Sequence, residues 1–223
     1  MLGFLTYNLV ILPAGSFFGR LIMKHKNIFD PEYQDQSISG KVVIGLERIS
    51  EVFKTLLWDK AKVLGISPIQ IQLLVFIHNH KESLCNVSHL AKEFNITKPT
   101  VSDAVRALDK KGYLIKDYSS SDNRSYSIQL SQSGKQLVEE AADFITPLQG
   151  QIEYLDKKQL EALFETLSTL IYKLNRSGIL QVQRTCYGCK FYQKEKQGHY
   201  CNLMEKPLST SEIRLDCPEF EKP

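Results

Sequence analysis

Four of the five cysteines fall near the end of the chain, as Cys186, Cys189, Cys201 and Cys217, with the spacing C-x2-C-x11-C-x15-C. A CxxC pair on a turn, with Gly188 letting the backbone bend, can present two thiolates to one ion, and two further cysteines complete a tetrahedral set. Four ligands leave no open coordination position. That favours a structural zinc, which would supply folding energy that so short a segment cannot draw from its few apolar residues. Other readings of the same residues stay open. An iron–sulfur cluster also takes four thiolates, and Cys217-Pro218 has the Cys-Pro ending of ferredoxin-like runs. Disulfides are disfavoured in a reducing compartment, although a reversible CxxC switch could operate there, and the four could also hold no metal at all. The second pair is not CxxC, so the pattern is not that of a zinc ribbon. His199, two residues before Cys201, could replace a ligand but reads first as a surface residue, and Cys85, far away in sequence, as a small buried hydrophobe and not a fifth ligand.

A second constellation, Lys98, Pro99, Thr100, Ser102, Asp103, Arg106 and, further on, Asp122 and Arg124, suits nucleic acid. The elements that would position it lie within residues 86 to 134. A short helix is predicted to start near Ser88 as N-cap and to bury Leu90, Ala91 and Phe94. Asn95 follows where a chain leaving a helix often turns left-handed, and Ile96 plugs the elbow. Thr97 caps a second helix with Pro99 in its first turn, where the missing N–H costs nothing. Val101, Ala104, Val105 and Leu108 repeat at helical spacing and face the core. Lys98, Thr100, Ser102, Asp103, Arg106 and Lys110 are left outward as a reading face. Gly112 stops the helix, and YLIKDY and RSYSIQL alternate as two strands of a hairpin with an SSSDN tip ending in Arg124. Two helices around a tight turn, then a polar Arg-tipped hairpin, form a helix-turn-helix with a wing.

This stretch resembles the winged-helix domain of MarR-type bacterial transcription regulators. In that family the wing reads Asp, any residue, Arg, then a strand ending in Leu, a Thr or Ser, and a Gly beginning the next helix. Asp122, Arg124, Leu130, Ser131 and Gly134 fall at that spacing, and Lys98 to Ser102 match a similar K-P-T-V-S run. One position departs: many members place a basic side chain where Asp103 stands, and a carboxylate there would repel phosphate or accept from a cytosine amino group. The domain is only mildly basic, so the motif and not the charge carries the reading. Arg124 at a loop tip suits the minor groove, with Asp122 as its possible brace.

The chain has 223 residues, 43% of them hydrophobic, and a formal charge of +3, which excludes a disordered or strongly polybasic protein. No Ser/His/Asp, HExxH or paired-carboxylate pattern and no nucleotide-binding glycine loop appears, so the chain reads as not an enzyme. Of the five histidines, His78, His80 and His89 sit near the start of the reading domain, where exposed or helix-terminal roles are expected. Residues 1 to 22 are apolar but broken by Asn8, Pro13 and Gly15 and lack a basic leader, which argues against a membrane span. Met23 is the expected native start, and the cytoplasm the expected location.

The helical stretches on either side complete the plan: mainly α with a small β-hairpin wing (α+β). Residues 1–38 read as an extension, and 39–66 as an N-terminal dimerisation helix through Val42, Leu46, Ile49, Phe53, Leu56 and Leu57. Residues 67–134 are the winged helix-turn-helix, opened by a Ser67–Gln70 capping box with Pro68 at the first helical position. Residues 135–179 carry C-terminal dimerisation helices, the first kinked or interrupted at Pro147. The second starts from an Asp156–Gln159 capping box and bears the seam Leu160, Leu163, Phe164, Leu167, Leu170, Ile171 and Leu174. Residues 180–223 are the Cys-rich metal-binding tail. An apolar stripe is most often intramolecular core. The resemblance instead implies that the outer helices of two chains interlock in a two-fold dimer on double-stranded DNA. The operator would be roughly palindromic, with half-sites about 34 Å apart. It implies a regulator answering to a small-molecule effector, a metal or a redox signal. The alternative is a non-regulatory module whose tail docks a protein partner and whose winged helix binds DNA nonspecifically.

Overall fold

The structure is a computed structural model and describes residues 28–30, 37–118, 126–195 and 198–223. The alternative start at Met23 and the site residues Asp122 and Arg124 therefore lie outside the described residues. The chain divides into two compact units, Met1–Ile49 and Ser50–Pro223. In the first, the backbone N–H of Gly40 donates to Ser37 Oγ at 3.1 Å, so Ser37 opens helix α1 (Ile38–Leu64).

The second unit is assembled on α2 (Pro68–Asn79), whose Ile71, Leu73, Leu74, Phe76 and Ile77 are all buried. It starts as the sequence predicts: Pro68 needs no N–H at the first helical position, and the Ser67 N–H donates to Gln70 Oε1 at 2.8 Å. The next helix, α3 (Val87–Glu93), begins two residues before the expected site. Asn86, not Ser88, is its N-cap, with the His89 N–H donating to Asn86 Oδ1 at 2.9 Å. The cause is tertiary: the Ile128 N–H donates to Cys85 O at 2.8 Å, which pins the chain just ahead of the extended Asn86.

Asn95 takes the left-handed turn at φ 52°. Thr97 then caps α4 (Lys98–Lys110), accepting from the Thr100 N–H at 3.3 Å, and Val101, Ala104, Val105 and Leu108 are buried beneath it. Gly112, at φ 76°, turns the chain into β1 (Leu114–Asp117), which pairs antiparallel with β2 (Ser127–Leu130) so that Leu114 faces Leu130. Helices α2, α3 and α4 with this hairpin form the winged helix-turn-helix, and α2 packs against α4, β2 and the following helix.

That helix, α5 (Gln132–Ala141), is capped by Ser131, which accepts from the Gly134 N–H at 3.0 Å and donates to Gly112 O at 2.6 Å. The helix expected to be kinked or interrupted at Pro147 is divided, with the break ahead of the proline. A 3-10 turn over 142–145 separates α5 from α6 (Thr146–Ile152), and Pro147 sits in the first turn of α6, where its missing N–H is harmless. The last helix, α7 (Lys157–Arg176), opens on Asp156, whose Oδ1 accepts from the Gln159 N–H at 2.9 Å, with the reciprocal bond at 3.1 Å. No single described helix is long and apolar enough to cross a membrane.

The tail adds a three-stranded antiparallel sheet in the order β3 (Tyr192–Glu195), β4 (Gly198–Cys201), β5 (Lys206–Leu208). Turns at Cys186–Gly188 and Thr210–Glu212 pack on α7. Leu208 and Ile213 are its buried apolar side chains among the described residues.

Gly134 is required by a close approach: a Cβ there would meet the Tyr113 carbonyl oxygen at 2.0 Å. Gly134→Ala is therefore expected to destabilise the second unit by about 1–3 kcal/mol, the usual range for forced overpacking. A urea midpoint unchanged from that of the parent chain would contradict this account.

Candidate nucleic-acid interface and thiol cluster

The buried ridge of α4 fixes which side of the helix faces solvent. Lys98, Pro99, Thr100, Asp103, Arg106 and Lys110 are exposed there, while Ser102 is half-buried at the edge of the face. The carboxylate of Asp103 is not left bare. Arg106 Nη1 donates to Asp103 Oδ1 at 2.9 Å, an i,i+3 pair with side chains 72% and 69% exposed. A pair so exposed contributes roughly 0.3–0.5 kcal/mol and is readily exchanged for other partners.

The root of the wing is braced from below. Glu82 accepts from Ser127 Oγ at 2.5 Å and from Gln129 Nε2 at 3.0 Å, and the Ser127 hydroxyl, with Gln129, holds its carboxyl below the usual range. Lys116 belongs to this scaffold: its Nζ donates to Asp109 Oδ2 at 2.6 Å, and that bond raises its pKa. Tyr118 and Tyr126, beyond the paired ends of β1 and β2, have ring centroids 5.3 Å apart.

All four tail cysteines line one cavity of about 50 Å³, together with Phe191, Tyr200 and Leu208 among others. Cys186 and Cys189 lie on the Cys186–Gly188 turn, the Cys189 N–H donating to Cys186 O at 3.0 Å, and the Arg214 N–H donates to Cys186 Sγ at 3.3 Å. Burial pushes the Cys186 thiol up, and Cys217, Cys189 and Cys201 add to it. All are free thiols, and no group of three or more His, Cys, Asp or Glu among the described residues is arranged to hold a metal ion as it stands. Cys85 behaves as a core residue, its thiol pushed up to about 11 by burial.

The structure also assembles a cluster that motif reading passes over. The Arg184 side chain, only 10% exposed, donates from Nη1 and Nη2 to Glu93 at 2.8 and 3.1 Å. It donates from Nε and Nη2 to Asp216 at 2.5 and 2.9 Å, with its guanidinium 5.5 Å from the centroid of the Phe76 ring. His80 stacks on Phe76 with centroids 3.7 Å apart, and its Nε2 lies 2.8 Å from Asp216 Oδ2. Arg184, aided by His80, holds the Asp216 carboxyl down at about 2. Of the exposed or helix-terminal roles expected for His78, His80 and His89, His78 takes the first and His80, the C-cap of α2, the second. His80 is half-buried in this network, and His89, its pKa lowered by burial, has a buried Nε2 with no hydrogen-bond partner, 3.5 Å from Glu93. His199 is likewise not simply on the surface, its Nδ1 lying 2.7 Å from the Tyr192 hydroxyl. One signal in the sequence was available: charges of opposite sign flank the cysteines, Arg184 two residues before Cys186 and Asp216 next to Cys217.

Residues 64–125 match the model of the MarR family. The HTH-type transcriptional repressor YetL of Bacillus subtilis (strain 168) is 28% identical over 76 residues, 34% of this chain and 46% of that protein. The chain thus matches less than half the length of this curated relative. The S. aureus MepR–DNA complex superposes with a TM-score of 0.53 at 24% identity, covering 60% of this chain and 97% of that one. A MarR protein from Peptoclostridium difficile DA00132 does so with a TM-score of 0.54 at 16% identity, covering 61% and 88%. The fold is that of a MarR-type winged helix, and the tail lies beyond the matched family segment.

Arg184→Ala should free the tail from the reading domain at a cost of about 2 kcal/mol. That is below the 3–5 kcal/mol of a fully buried pair, because Asp216 is 45% exposed. Limited proteolysis near residue 180 should become several-fold faster, and an unchanged rate would refute the clamp.

Proposed function

We propose that the chain is a sequence-specific DNA-binding transcriptional regulator of the MarR type, acting as a homodimer on a roughly palindromic operator. The observation that carries this reading is α4: a ridge of buried apolar residues under an exposed face of Lys98, Pro99, Thr100, Asp103 and Arg106, with Ser102 at its edge. Such a face is suited to base edges in the major groove, and Arg124 with Asp122 to the neighbouring minor groove. Asp103 bears on base preference. Paired with Arg106 it is neutralised, and once Arg106 turns to a phosphate or a guanine it can accept from a cytosine amino group.

Dimerisation is supported by apolar surface that one chain does not cover. Ser168 is the buried residue of α7, whereas Leu163 and Leu170 of its seam are exposed, as are Trp58 and Val63 of α1 and Tyr154 and Ile179 beside α7. Exposed apolar side chains of this number and size on the outer helices suit a protein interface, and a second copy of the chain would cover them. Two recognition helices would then stand about one DNA turn, roughly 34 Å, apart. A cleft of about 1320 Å³, bordered by His80, Lys81, Lys92, Tyr172, Arg176 and Arg184, offers room for a small-molecule effector.

Binding to DNA from the gene's own upstream region tests the reading. Specific retardation should survive competitor DNA, whereas uniform binding erased by salt would favour the nonspecific module. Arg106→Ala should weaken the specific complex by roughly 1–3 kcal/mol and Ser102→Ala should change its base preference, while Arg124→Ala weakens it with little loss of fold. Unaltered affinity in all three would refute the reading face. Light scattering that shows a stable monomer would remove the dimer.

A further inference from the structure

The tail is too poor in core to hold itself together by apolar burial. Leu208 and Ile213 are its buried apolar side chains among the described residues, and a segment of this length ordinarily needs a disulfide or a metal. Its backbone instead brings the cysteine-bearing arms together. The arm leading into Cys186 and the arm leading into Cys217 are zipped together: Cys186 N–H donates to Arg214 O at 3.0 Å, Cys217 N–H to Arg184 O at 3.1 Å, and Arg184 and Asp216 form a parallel bridge. Phe220 N–H closes a turn on Cys217 O at 3.1 Å, and Cys201 ends β4 beside them. A cavity of about 50 Å³ shared by the four sulfurs is room for a few water-sized spheres, which suits one ion drawn in between them better than a cage of several irons and sulfides.

The same two arms carry the clamp. Arg184, which also binds Asp216 of the second arm, fastens them to Glu93, the last residue of α3, and Gln181 Nε2 donates at 3.0 Å to Asn95, the left-handed residue of the helix-turn-helix. Any closure of the sulfurs must therefore move or stiffen the arms that hold α3 and its turn.

We propose that Cys186, Cys189, Cys201 and Cys217 form a tetrathiolate site for one thiophilic divalent cation of the zinc class, whose loading fixes the helix-turn-helix through the Arg184 clamp and so sets DNA affinity. The last step rests on the DNA-binding reading above; the site and the stiffening do not. On loading, each thiol gives its proton to solvent and its sulfur lone pair to the cation, so four protons leave for each ion bound and affinity falls as the pH falls. No set of three among the described residues is arranged for a metal beforehand, so loading draws the sulfurs in to ligand distance.

The test uses the full chain, purified without oxygen, stripped with a chelator and titrated with Co²⁺ and then Zn²⁺. One equivalent of Co²⁺ should give thiolate-to-metal absorption and the intense visible bands of a tetrahedral site, both lost on adding Zn²⁺. Cys201→Ser should lose them and Cys85→Ala should keep them. Weak octahedral bands, or brown protein carrying iron and sulfide, would overturn the site; should Cys201→Ser fail to fold, the stripped and loaded parent chains supply the comparison. Zn²⁺ should slow hydrogen exchange of the amides of 86–97 and change affinity for the upstream DNA at least about fivefold, the lower end of ordinary coupling. Arg184→Ala should keep the cobalt spectrum yet lose both effects. A loaded site with unchanged exchange overturns the coupling, whereas slowed exchange with no specific DNA binding in either state overturns the DNA-binding reading and the affinity step, and upholds the site and the clamp.

Discussion

Ile71, Leu73, Leu74, Phe76 and Ile77 put apolar side chains around most of α2, and removing each from water contributes about 1.5–3 kcal/mol. A helix wetted on so little of its surface must be surrounded, and α4, α5 and β2 are what surround it. The orientation of α4 follows from this. Its Val101, Ala104, Val105 and Leu108 have one place to go, so Lys98, Thr100, Asp103 and Arg106 are turned outward without any contact needed to hold them there. The reading face is rigid because its back is packed, which is the arrangement that permits polar side chains to stay uncommitted.

The charges around that face divide into committed and free by their depth. Lys116 and Glu82 are tied into the root of the hairpin, and Lys111 Nζ donates at 2.7 Å to Gly65 O, the carbonyl of the turn before α2. These side chains shape the domain. Among the described residues Arg106 and Asp103 are bound to each other, in solvent, where the pair costs little to break. A mildly basic domain can thus keep one neutral pair at the centre of this helix until a partner with stronger hydrogen-bonding demands arrives.

Much of the fold was legible because it rests on local chemistry. The caps at Ser67, Thr97 and Asp156, the left-handed Asn95 and the stop at Gly112 each depend on a few neighbouring residues, and the spacing of Val101 to Leu108 on one helix. The misses have non-local causes. Ser88 and Asn86 are both able caps, and the choice falls to Asn86 because β2, some forty residues on, pins Cys85. Pro147 announced an interruption, but the break came ahead of it, where the proline could serve a new helix start. In the candidate site, the outward set of α4 was read from periodicity alone, whereas the Arg184 network joins residues about ninety and more than a hundred positions apart and has no periodic signature.

The way the tail is held differs in kind from the way the reading domain is held. Phe76 closes the apolar core at the end of α2, and from its ring outward the packing changes character: His80 stacks on it, Arg184 lies over it, and Glu93 and Asp216 complete the charge. An apolar junction would be stronger per unit area but indifferent to geometry. A guanidinium shared between two carboxylates demands that both stand in place at once, and removing either leaves the others poorly satisfied. Because Arg184 and Glu93 are largely shielded from solvent, salt weakens this junction less than it weakens Arg106–Asp103. A junction that is sharp in geometry and resistant to screening ties the cysteine-bearing arms to the end of α3.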